Sequence, residues 1–303
     1  MVDEETDKAI VLLNMRYQKL LSSAVQAKNS RRKFWLRCIK NLDLKSIFEA
    51  IVAKFIIRSH SCLKGNNYII EKKIDNQLDI TNKKIAVYCC IIGKYDNVYE
   101  PIYHEPGIDY YMFTDLDLPA DSKWHKIDIK NFAEYKIMSP YMLNRKIKML
   151  PYLYLPNYDY SLYVDGSIEI AAPISPLIKE MGHTGLALHF HNQRDCIYDE
   201  YWAVKYKKKA DPKVMKLQLD NYRNAGFPKH WGLFENTILI RNHHNIAIES
   251  LMQRWWLEYN NYPTRDQLSL PYLVWKMGLK FNDICILGNN LSMNPRFNRK
   301  QHV

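Results

Sequence analysis

The chain lacks the cysteine spacings that mark zinc sites and disulfide frameworks. Six cysteines occur, without a CxxC pair or a dense cluster: Cys38, Cys62, Cys89, Cys90, Cys196 and Cys285. This usage is typical of reduced thiols in a cytoplasmic protein, and zinc is not expected. Cys89 and Cys90 are adjacent in an apolar segment, so on a strand they would point to opposite faces of the sheet.

Long apolar runs, internal repeats and low-complexity segments are also missing. Charged residues interrupt every apolar run well before the roughly 18 residues that a membrane-spanning helix needs. The acidic start, Met1-Val-Asp-Glu-Glu5, is unlike a signal peptide. We therefore expect a cytoplasmic protein. With 303 residues, 47% of them hydrophobic and 25% charged, the chain suits one large globular domain with an appendage.

The net charge of +11 is concentrated near the N-terminus. From Lys28 to Lys64 the chain has ten basic residues and only two acidic ones, Asp43 and Glu49, and apolar residues are interleaved with them. Basic amphipathic helices of this kind lie on anionic membranes, which predicts a peripheral protein at the inner face of the cell membrane. A helical pair that packs against the main domain is an equally good interpretation. Residues 1–83 are thus predicted to be a helical basic appendage and connector.

From Lys84 onward, strand-like and helix-like segments alternate. Apolar runs predict strands at 84–92, 108–114, 124–127, 160–164, 186–191, 237–240 and 284–286. Ser139 and Pro140 predict a helix start, as N-cap and first helical residue, and two further helices are predicted at 248–256 and 264–277. This order predicts an α/β fold with a mostly parallel sheet flanked by helices.

The predicted strand 160–164 ends abruptly on Asp165-Gly166-Ser167. A buried strand that presents a carboxylate and a glycine at its carboxyl end lies where α/β sheets bind ligands. A carboxylate can meet a divalent cation and a diphosphate there, and a small neighbour lets them approach. An ordinary Asp-Gly turn is the alternative.

Several motifs in order carry a family resemblance: Ile92-Gly-Lys-Tyr-Asp96, Tyr111-Met-Phe-Thr-Asp115, Arg145-Lys-Ile-Lys148, Tyr163-Val-Asp-Gly-Ser167, His191-Asn-Gln-Arg194, Cys196-Ile-Tyr198, Gly232-Leu-Phe-Glu235 and Arg265-Asp-Gln-Leu-Ser269. With them, residues 84–303 resemble a glycosyltransferase-like family of plant cell-wall and mucilage proteins and bacterial surface-polysaccharide proteins, long catalogued as a domain of unknown function. Residues 1–80 lie outside the resemblance. It implies a GT-A-like, Rossmann-type fold. It also implies hexose transfer from a nucleotide diphosphate sugar, expected to be UDP-linked, to a hydroxyl of a surface polysaccharide (capsule or O-antigen) or a lipid-linked glycan.

The resemblance also implies donor contacts from the loop after the first strand and from the second strand: Gly93, Tyr95, Asp96, Thr114 and Asp115. The alternatives are a loop turn at Tyr95-Asp96 and a helix cap at Thr114-Asp115. Arg145 and Lys148 lie three apart on one helix and share a face, where they would neutralise a diphosphate leaving group. A solvated basic face is the alternative for that pair.

Asp165 is the principal donor-site and catalytic candidate, with Gly166 and Ser167 beside it. Hard cations take carboxylate oxygens, so Asp165 would ligate Mn²⁺ or Mg²⁺ on the diphosphate. The sequence departs from the Asp-x-Asp pattern of many GT-A enzymes, because its third position is Ser167. The expectation is an ion held by Asp165, diphosphate and water, with His302 as a weak further ligand, or no ion at all.

The acceptor is expected to meet a cleft wall formed by His189, His191, Arg194, Tyr198, Glu200, Glu235 and Gln267. His189 and His191 alternate along a strand and would share its polar face. A mobile loop near residues 207–213 would exclude water.

Asp266 is the second catalytic candidate, at the start of the helix predicted over 264–277. The resemblance implies a carboxylate that deprotonates the acceptor hydroxyl in an inverting enzyme, or that steadies the oxocarbenium-like centre in a retaining one. Alternatively, Thr264-Arg-Asp-Gln267 forms a capping box and Asp266 only offsets the helix dipole.

The expected partners are a nucleotide-sugar donor, a glycan or lipid-linked acceptor and an anionic membrane surface, and a homo-oligomer is left open. Nucleic acid is not expected, since no nucleic-acid-binding motif accompanies the basic charge. Two rival classes remain. One is a non-catalytic carbohydrate-binding or scaffold protein on the same fold, and the other a basic nucleic-acid-binding protein.

Overall fold

The computed structural model describes residues 78–300, except positions 94, 192, 281–282, 289–290 and 292–293, together with isolated positions before residue 78. The chain divides into two units, Met1–Ser61 and Cys62–Val303, and the fold below is that of the second. The predicted helical appendage and the weak ligand candidate His302 lie outside the described residues, so both stay predictions.

A seven-stranded sheet in the order β3-β2-β1-β4-β7-β6-β8 forms the centre of this unit. Strand β7 is antiparallel to its neighbours β4 and β6, and every other pairing in the sheet is parallel. The strands are β1 (Ile85–Ile91), β2 (Asp109–Thr114), β3 (His125–Asp128), β4 (Tyr160–Val164), β6 (Leu186–Phe190), β7 (Phe234–Asn242) and β8 (Cys285–Ile286). The α/β fold with a mostly parallel sheet is therefore confirmed, and it is consistent with a Rossmann-like glycosyltransferase fold.

Helices cover both faces of this sheet, and the helices of the described residues are numbered here in chain order. They are α1 (Ala133–Ile137), α2 (Pro140–Met149), α3 (Pro151–Tyr154), α4 (Ser175–Met181), α5 (Ile197–Tyr206), α6 (Pro212–Asn224), α7 (Ile246–Asn261) and α8 (Asp266–Lys276). Helix α4 packs on one face, while α2 and α5 to α8 pack on the other. Among the described residues, no helix is long and apolar enough to cross a bilayer.

Strand β1 is the best example of why a continuous apolar run becomes a central strand. All seven of its residues are buried, because both faces of the sheet are covered. Cys90 packs in the cluster under α2, and Cys89 packs in the cluster on the other face. The two thiols therefore point to opposite faces, as the sequence predicts.

A second, two-stranded sheet connects the end of the described chain to the segment that follows β4. Strand β5 (Ile168–Ile170) pairs antiparallel with β9 (Phe297–Arg299). Just beyond this ladder, the Lys300 N–H donates to the Ser167 carbonyl at 2.7 Å. The segment around residue 299 thus lies beside the Asp165-Gly166-Ser167 turn, a contact between distant parts of the sequence.

Candidate active site

A cleft of about 590 Å³ opens at the carboxyl ends of β1 and β4. Parallel strands present ligand sites at this edge of an α/β sheet. Eleven of the predicted site residues line it: Tyr95, Asp96, Arg145, Asp165, Gly166, Ser167, His191, Arg194, Glu200, Glu235 and Gln267. The fold therefore gathers side chains from well-separated parts of the chain into one cleft.

Asp165 presents a carboxylate to this cleft directly after β4. One oxygen, Oδ1, accepts a hydrogen bond from the Tyr163 hydroxyl at 2.8 Å and lies 3.2 Å from the Lys148 ammonium. The side chain keeps 31% of its surface exposed. Asp165 is thus fixed from behind while remaining accessible to a ligand in front.

Lys148 does not reach the cleft surface beside Arg145, and this part of the prediction is wrong. Its side chain is only 2% exposed, because it lies on the covered face of α2, one turn below Arg145. The ammonium is 2.8 Å from Asp266 Oδ2 as well as 3.2 Å from Asp165 Oδ1. Lys148 therefore joins the two predicted catalytic carboxylates beneath the cleft floor.

Arg145 lines the cleft and is held in place by its own helix. Its Nη1 donates to Asn144 Oδ1 at 2.6 Å, and the guanidinium lies over the Tyr141 ring, 5.1 Å from the centroid. The Asn144 amide in turn donates to the Cys90 carbonyl at 2.7 Å. Burial acts to lower the pKa of Arg145, but the carboxylates of Asp266 and Asp165 outweigh it and raise that pKa.

Asp266 is the first residue of α8, and its side chain is 4% exposed. Burial acts to raise the pKa of its carboxyl group. The cations Lys148, Arg145 and Arg265 overcome burial and hold that pKa well below its usual range. Asp266 does not line the cleft. It is a permanently ionised partner of two cations, which is a poor state for accepting a proton.

The capping box predicted at Thr264 and Gln267 does not form. Helix α8 takes Arg265 as its N-cap and has no side-chain cap. The Thr264 hydroxyl instead donates to Gln218 Oε1 on α6 at 2.7 Å. Gln267 is turned toward the cleft, where its amide donates to the Phe234 carbonyl at 3.4 Å. Contacts between helices thus replace the local cap.

Gly166 is a position where a Cβ atom would be crowded by neighbouring side chains. A Cβ there would lie 3.0 Å from Ile91 Cγ1 and 3.1 Å from Asp96 Oδ2. The glycine therefore lets the loop after β1 and the turn after β4 come into direct contact. This contact brings the carboxylates of Asp96 and Asp165 to one side of the cleft.

Three of the predicted donor residues lie outside the cleft lining and have structural partners instead. Asp115 accepts from the Gly93 N–H at 2.7 Å and from the Tyr135 hydroxyl at 3.1 Å, while Thr114 Oγ1 accepts from the Leu116 N–H at 3.1 Å. Gly93 has a φ of +64°, a conformation that favours glycine. These contacts shape the loop that carries Tyr95 and Asp96, and no described helix begins directly after Asp115, so the predicted helix cap does not form.

The acceptor wall contains a buried polar network. His191 Nδ1 accepts from the Arg194 backbone N–H at 3.1 Å, and Arg194 forms an ion pair with Glu200. Burial lowers the pKa of His191 to about 4, although Glu200 opposes that shift. His191 is therefore neutral at physiological pH, and it lines the cleft as a hydrogen-bonding group.

His189 and Tyr198 do not belong to this wall, contrary to the sequence prediction. His189 is fully buried, and its Nε2 pairs with the Asn294 amide at 3.0 Å. An irregularity in the β6–β7 register between Ala187 and His189 breaks simple strand alternation. Tyr198 faces inward from α5, where its hydroxyl donates to the Phe227 carbonyl at 2.8 Å.

Glu235, at the start of β7, is a cleft carboxyl group with a raised pKa. Its side chain is 9% exposed, and Oε1 pairs with Arg299 Nη1 at 3.2 Å. The Leu291 backbone N–H also interacts with this carboxylate and acts to lower its pKa. Burial raises the pKa of Glu235, with a contribution from Asp165, while Arg299 opposes the shift.

Four basic residues at the cleft were missed from the sequence as ligand contacts: Lys207, Lys209, Arg265 and Arg299. Burial lowers the pKa of Lys209, and repulsion from the other three lowers it further. Such crowding of like charges is typical of a site for an anion. The Lys207–Lys209 run signals a basic loop, but local sequence does not reveal that β9 brings Arg299 to it.

The residues around Asp165 can offer a divalent cation only part of its coordination shell. Within the described part of the chain, Asp165 belongs to no group of three side chains that could ligate one ion. Its carboxylate, however, is a hard oxygen ligand at the cleft surface. The arrangement fits an ion that takes its remaining ligands from a diphosphate and water.

Comparison with known proteins gives two matches. A family model described as "TOD1/MUCI70, glycosyltransferase-like domain" matches residues 51–294. The similarity therefore begins before residue 84, which is where the sequence motifs place its start. The chain is also 24% identical over 228 residues to "Probable hexosyltransferase MUCI70" of Arabidopsis thaliana. That alignment covers 65% of this chain and 38% of the plant protein. The chain therefore spans well under half of the relative's length.

Proposed function

The chain belongs to the TOD1/MUCI70 glycosyltransferase-like family, and from this we propose that it transfers a hexose from a nucleotide diphosphate sugar, UDP-linked, to a hydroxyl of a surface polysaccharide or lipid-linked glycan. One observation carries the proposal. Asp165 stands exposed at the carboxyl end of a parallel strand, while the buried cation Lys148 and the hydroxyl of Tyr163 hold it from behind. A carboxylate so fixed is suited to orient a diphosphate and its ion.

The donor is proposed to lie with its nucleoside near Tyr95 and Asp96. The Tyr95 ring is 74% exposed at the rim, where an aromatic face can stack on a base. The diphosphate then lies between Ser167, Asp165 and Arg145. This placement puts the bond that breaks above the buried Lys148 and Asp266 pair.

Cations of the cleft are proposed to stabilise the leaving group. As the bond between the sugar and the diphosphate breaks, negative charge develops on the diphosphate, and fixed charges lower the energy of that state. Arg145 is locked on α2 by Asn144 and Tyr141, so its position requires little reorganisation. The basic residues 207, 209, 265 and 299 supply further positive potential.

Asp165 would hold Mn²⁺ or Mg²⁺ if the reaction uses one. Such an ion supplies a Lewis acid that neutralises the diphosphate. The basic residues of the cleft provide part of the same neutralisation from the protein itself.

Glu235 is proposed to bind the acceptor hydroxyl, in place of the catalytic role that the sequence suggests for Asp266. The Glu235 carboxyl lines the cleft and has a raised pKa, so it can accept a hydrogen bond from the attacking hydroxyl. Asp266 is already committed to Lys148 and Arg145. Its proposed task is to position those two cations.

The test is turnover with a panel of nucleotide diphosphate hexoses, with and without Mn²⁺, followed as nucleotide release and glycoside formation. Asp165→Asn should lose at least about a hundredfold in kcat, because it removes the charge that orients the diphosphate. Asp117→Asn is the matched control, since Asp117 is fully exposed and pairs only with Lys126 on the surface.

Near-normal turnover by Asp165→Asn would overturn the donor-site assignment. Binding of a nucleotide sugar with neither hydrolysis nor transfer would instead support a carbohydrate-binding protein. Ser167 favours this carbohydrate-binding alternative, because an Asp-x-Asp pattern has a second carboxylate at that position.

A further inference from the structure

Cys196, Asp199 and His230 form a group that the proposed transfer reaction does not use. One ligand atom from each lies within 4.8 Å of the other two. None of the three lines the cleft. Cys196 belongs to one of the motifs that carry the family resemblance, yet its buried thiol has no task in binding donor or acceptor.

Two segments of the chain supply this group. Cys196 is the N-cap of α5 and Asp199 is in its first turn, so the side chains, three residues apart, lie on one side of the helix. His230 comes from the segment that leads into β7. The Gly232 N–H donates to the Asp195 carbonyl at 2.8 Å and holds the two segments together.

His230 is oriented in the way that metal-binding histidines commonly are. Asp195 Oδ1 lies 2.8 Å from His230 Nδ1, and a carboxylate in this position fixes the orientation of a metal-binding imidazole. The backbone of His230 has a φ of +56°, a left-handed conformation that is uncommon outside glycine and that costs free energy. The fold therefore holds this imidazole in a defined place.

We propose that Cys196, Asp199 and His230 bind a Zn²⁺ ion, with Asp195 positioning His230 from behind and water completing the coordination. Thiolate, imidazole and carboxylate are the ligands that zinc prefers, at about 2.0–2.3 Å.

Binding requires the Cys196 thiol to lose its proton to solvent. A bound zinc ion favours the thiolate. This departs from the sequence expectation, which found no CxxC spacing and no zinc.

The site lies next to the acceptor wall. Arg194 precedes Cys196 in sequence, and Glu200 follows Asp199. On the other segment, Glu235 comes after His230 and lies on β7. An ion that joins the two segments would hold these cleft residues in fixed positions relative to one another. Its role would be structural, separate from any ion on the diphosphate.

The test uses the full-length protein, stripped with chelator and titrated with Zn²⁺, and with Co²⁺ as a spectroscopic probe. We expect one Zn²⁺ per chain, a higher thermal midpoint, and a thiolate-to-cobalt absorption band. His230→Asn should weaken Zn²⁺ affinity by at least about a hundredfold without disturbing the backbone, because Asn tolerates the left-handed conformation. Cys196→Ser should remove the cobalt band.

His244→Asn is the matched control. His244 also pairs with an aspartate, Asp159 Oδ1 at 2.7 Å, and it should keep full Zn²⁺ binding. A wild-type protein without the cobalt–thiolate band, or an equal Zn²⁺ response in His230→Asn, would refute the site. Because the thiolate band reports on Cys196, its outcome is independent of whether Asp165 supports hexose transfer.

Discussion

Lys148 shows how one buried charge can organise the site. Its ammonium lies between Asp165 and Asp266, and the side chains of Lys148 and Asp266 are 2% and 4% exposed. A buried carboxylate that loses its cation is left uncompensated in a poorly solvated place. The lysine therefore matters to the fold as well as to the position of Asp165.

Replacing Lys148 with Met is expected to lower the free energy of unfolding by about 3–5 kcal/mol, since it leaves Asp266 without its nearest cation. Urea unfolding measures this change. Lys126→Met is the control, because Lys126 pairs with Asp117 on the surface, where ion pairs contribute about 0–1 kcal/mol. Equal losses in the two variants would contradict the assigned ion-pair network.

Asp266, buried beneath the cleft, and Glu235, which lines it, show that burial alone does not decide whether a carboxyl group is ionised. Two nearby cations keep Asp266 ionised, whereas burial dominates at Glu235. A sequence alone does not show which cations a carboxylate will meet. For this reason the sequence suggested a catalytic carboxylate or a dipole-compensating acid at a helix start for Asp266, whereas in the fold it pairs with Lys148 and Arg145.

At the scale of elements, apolar runs predicted most of the strands, because strands of a covered sheet are buried on both faces. The N-cap at Ser139 is confirmed by its bond from the Met142 N–H at 3.3 Å. Helices α5 and α6 were missed as helices, and residues 212–213, predicted to lie in a mobile loop, begin α6. Pairings such as β5 with β9 depend on long-range contacts that no local pattern encodes.

The β9 strand offers a test of that long-range placement, because it brings Arg299 to Glu235 on β7. Arg299 acts to lower the pKa of Glu235. If transfer needs ionised Glu235, activity rises with pH through this raised pKa, and Arg299→Ala should move the acid limb to higher pH. The shift should be less than about one pH unit, since Arg299 is half exposed and solvent screens its charge.

The measurement is kcat/KM against pH for the wild type and Arg299→Ala. Arg223→Ala is the control, because Arg223 pairs with Asp220 on exposed α6 and should leave the profile unchanged. An acid limb that moves to lower pH in Arg299→Ala would contradict the role assigned to Glu235.

At the scale of the whole molecule, membrane binding by the basic N-terminal segment remains a prediction from the sequence. Ten basic residues lie between Lys28 and Lys64, and each basic residue near an anionic membrane contributes about 1 kcal/mol. Replacing Arg31, Arg32 and Lys33 with Glu in the full-length protein should therefore weaken binding to phosphatidylserine vesicles by at least about a hundredfold. Sedimentation with vesicles at low salt measures it, and unchanged binding would favour a packing role for this segment.

The whole fold is also expected to lose stability in mild acid. Burial lowers the pKa of His189 and of His243 from 6.5 to about 4, whereas the unfolded chain keeps the ordinary value. As pH falls through this range, the unfolded chain binds protons that the folded one does not. The free energy of unfolding should then fall by about 2 kcal/mol per histidine between about pH 7 and pH 5.

Urea unfolding at a series of pH values measures this slope. His243→Gln should flatten it, because the uncharged amide does not titrate. His183→Gln is the control, because His183 is exposed in the short turn after α4 and its loss should leave the slope unchanged. If the free energy of unfolding depended on pH equally in all three proteins, the buried histidines would not be the cause of the loss of stability in acid.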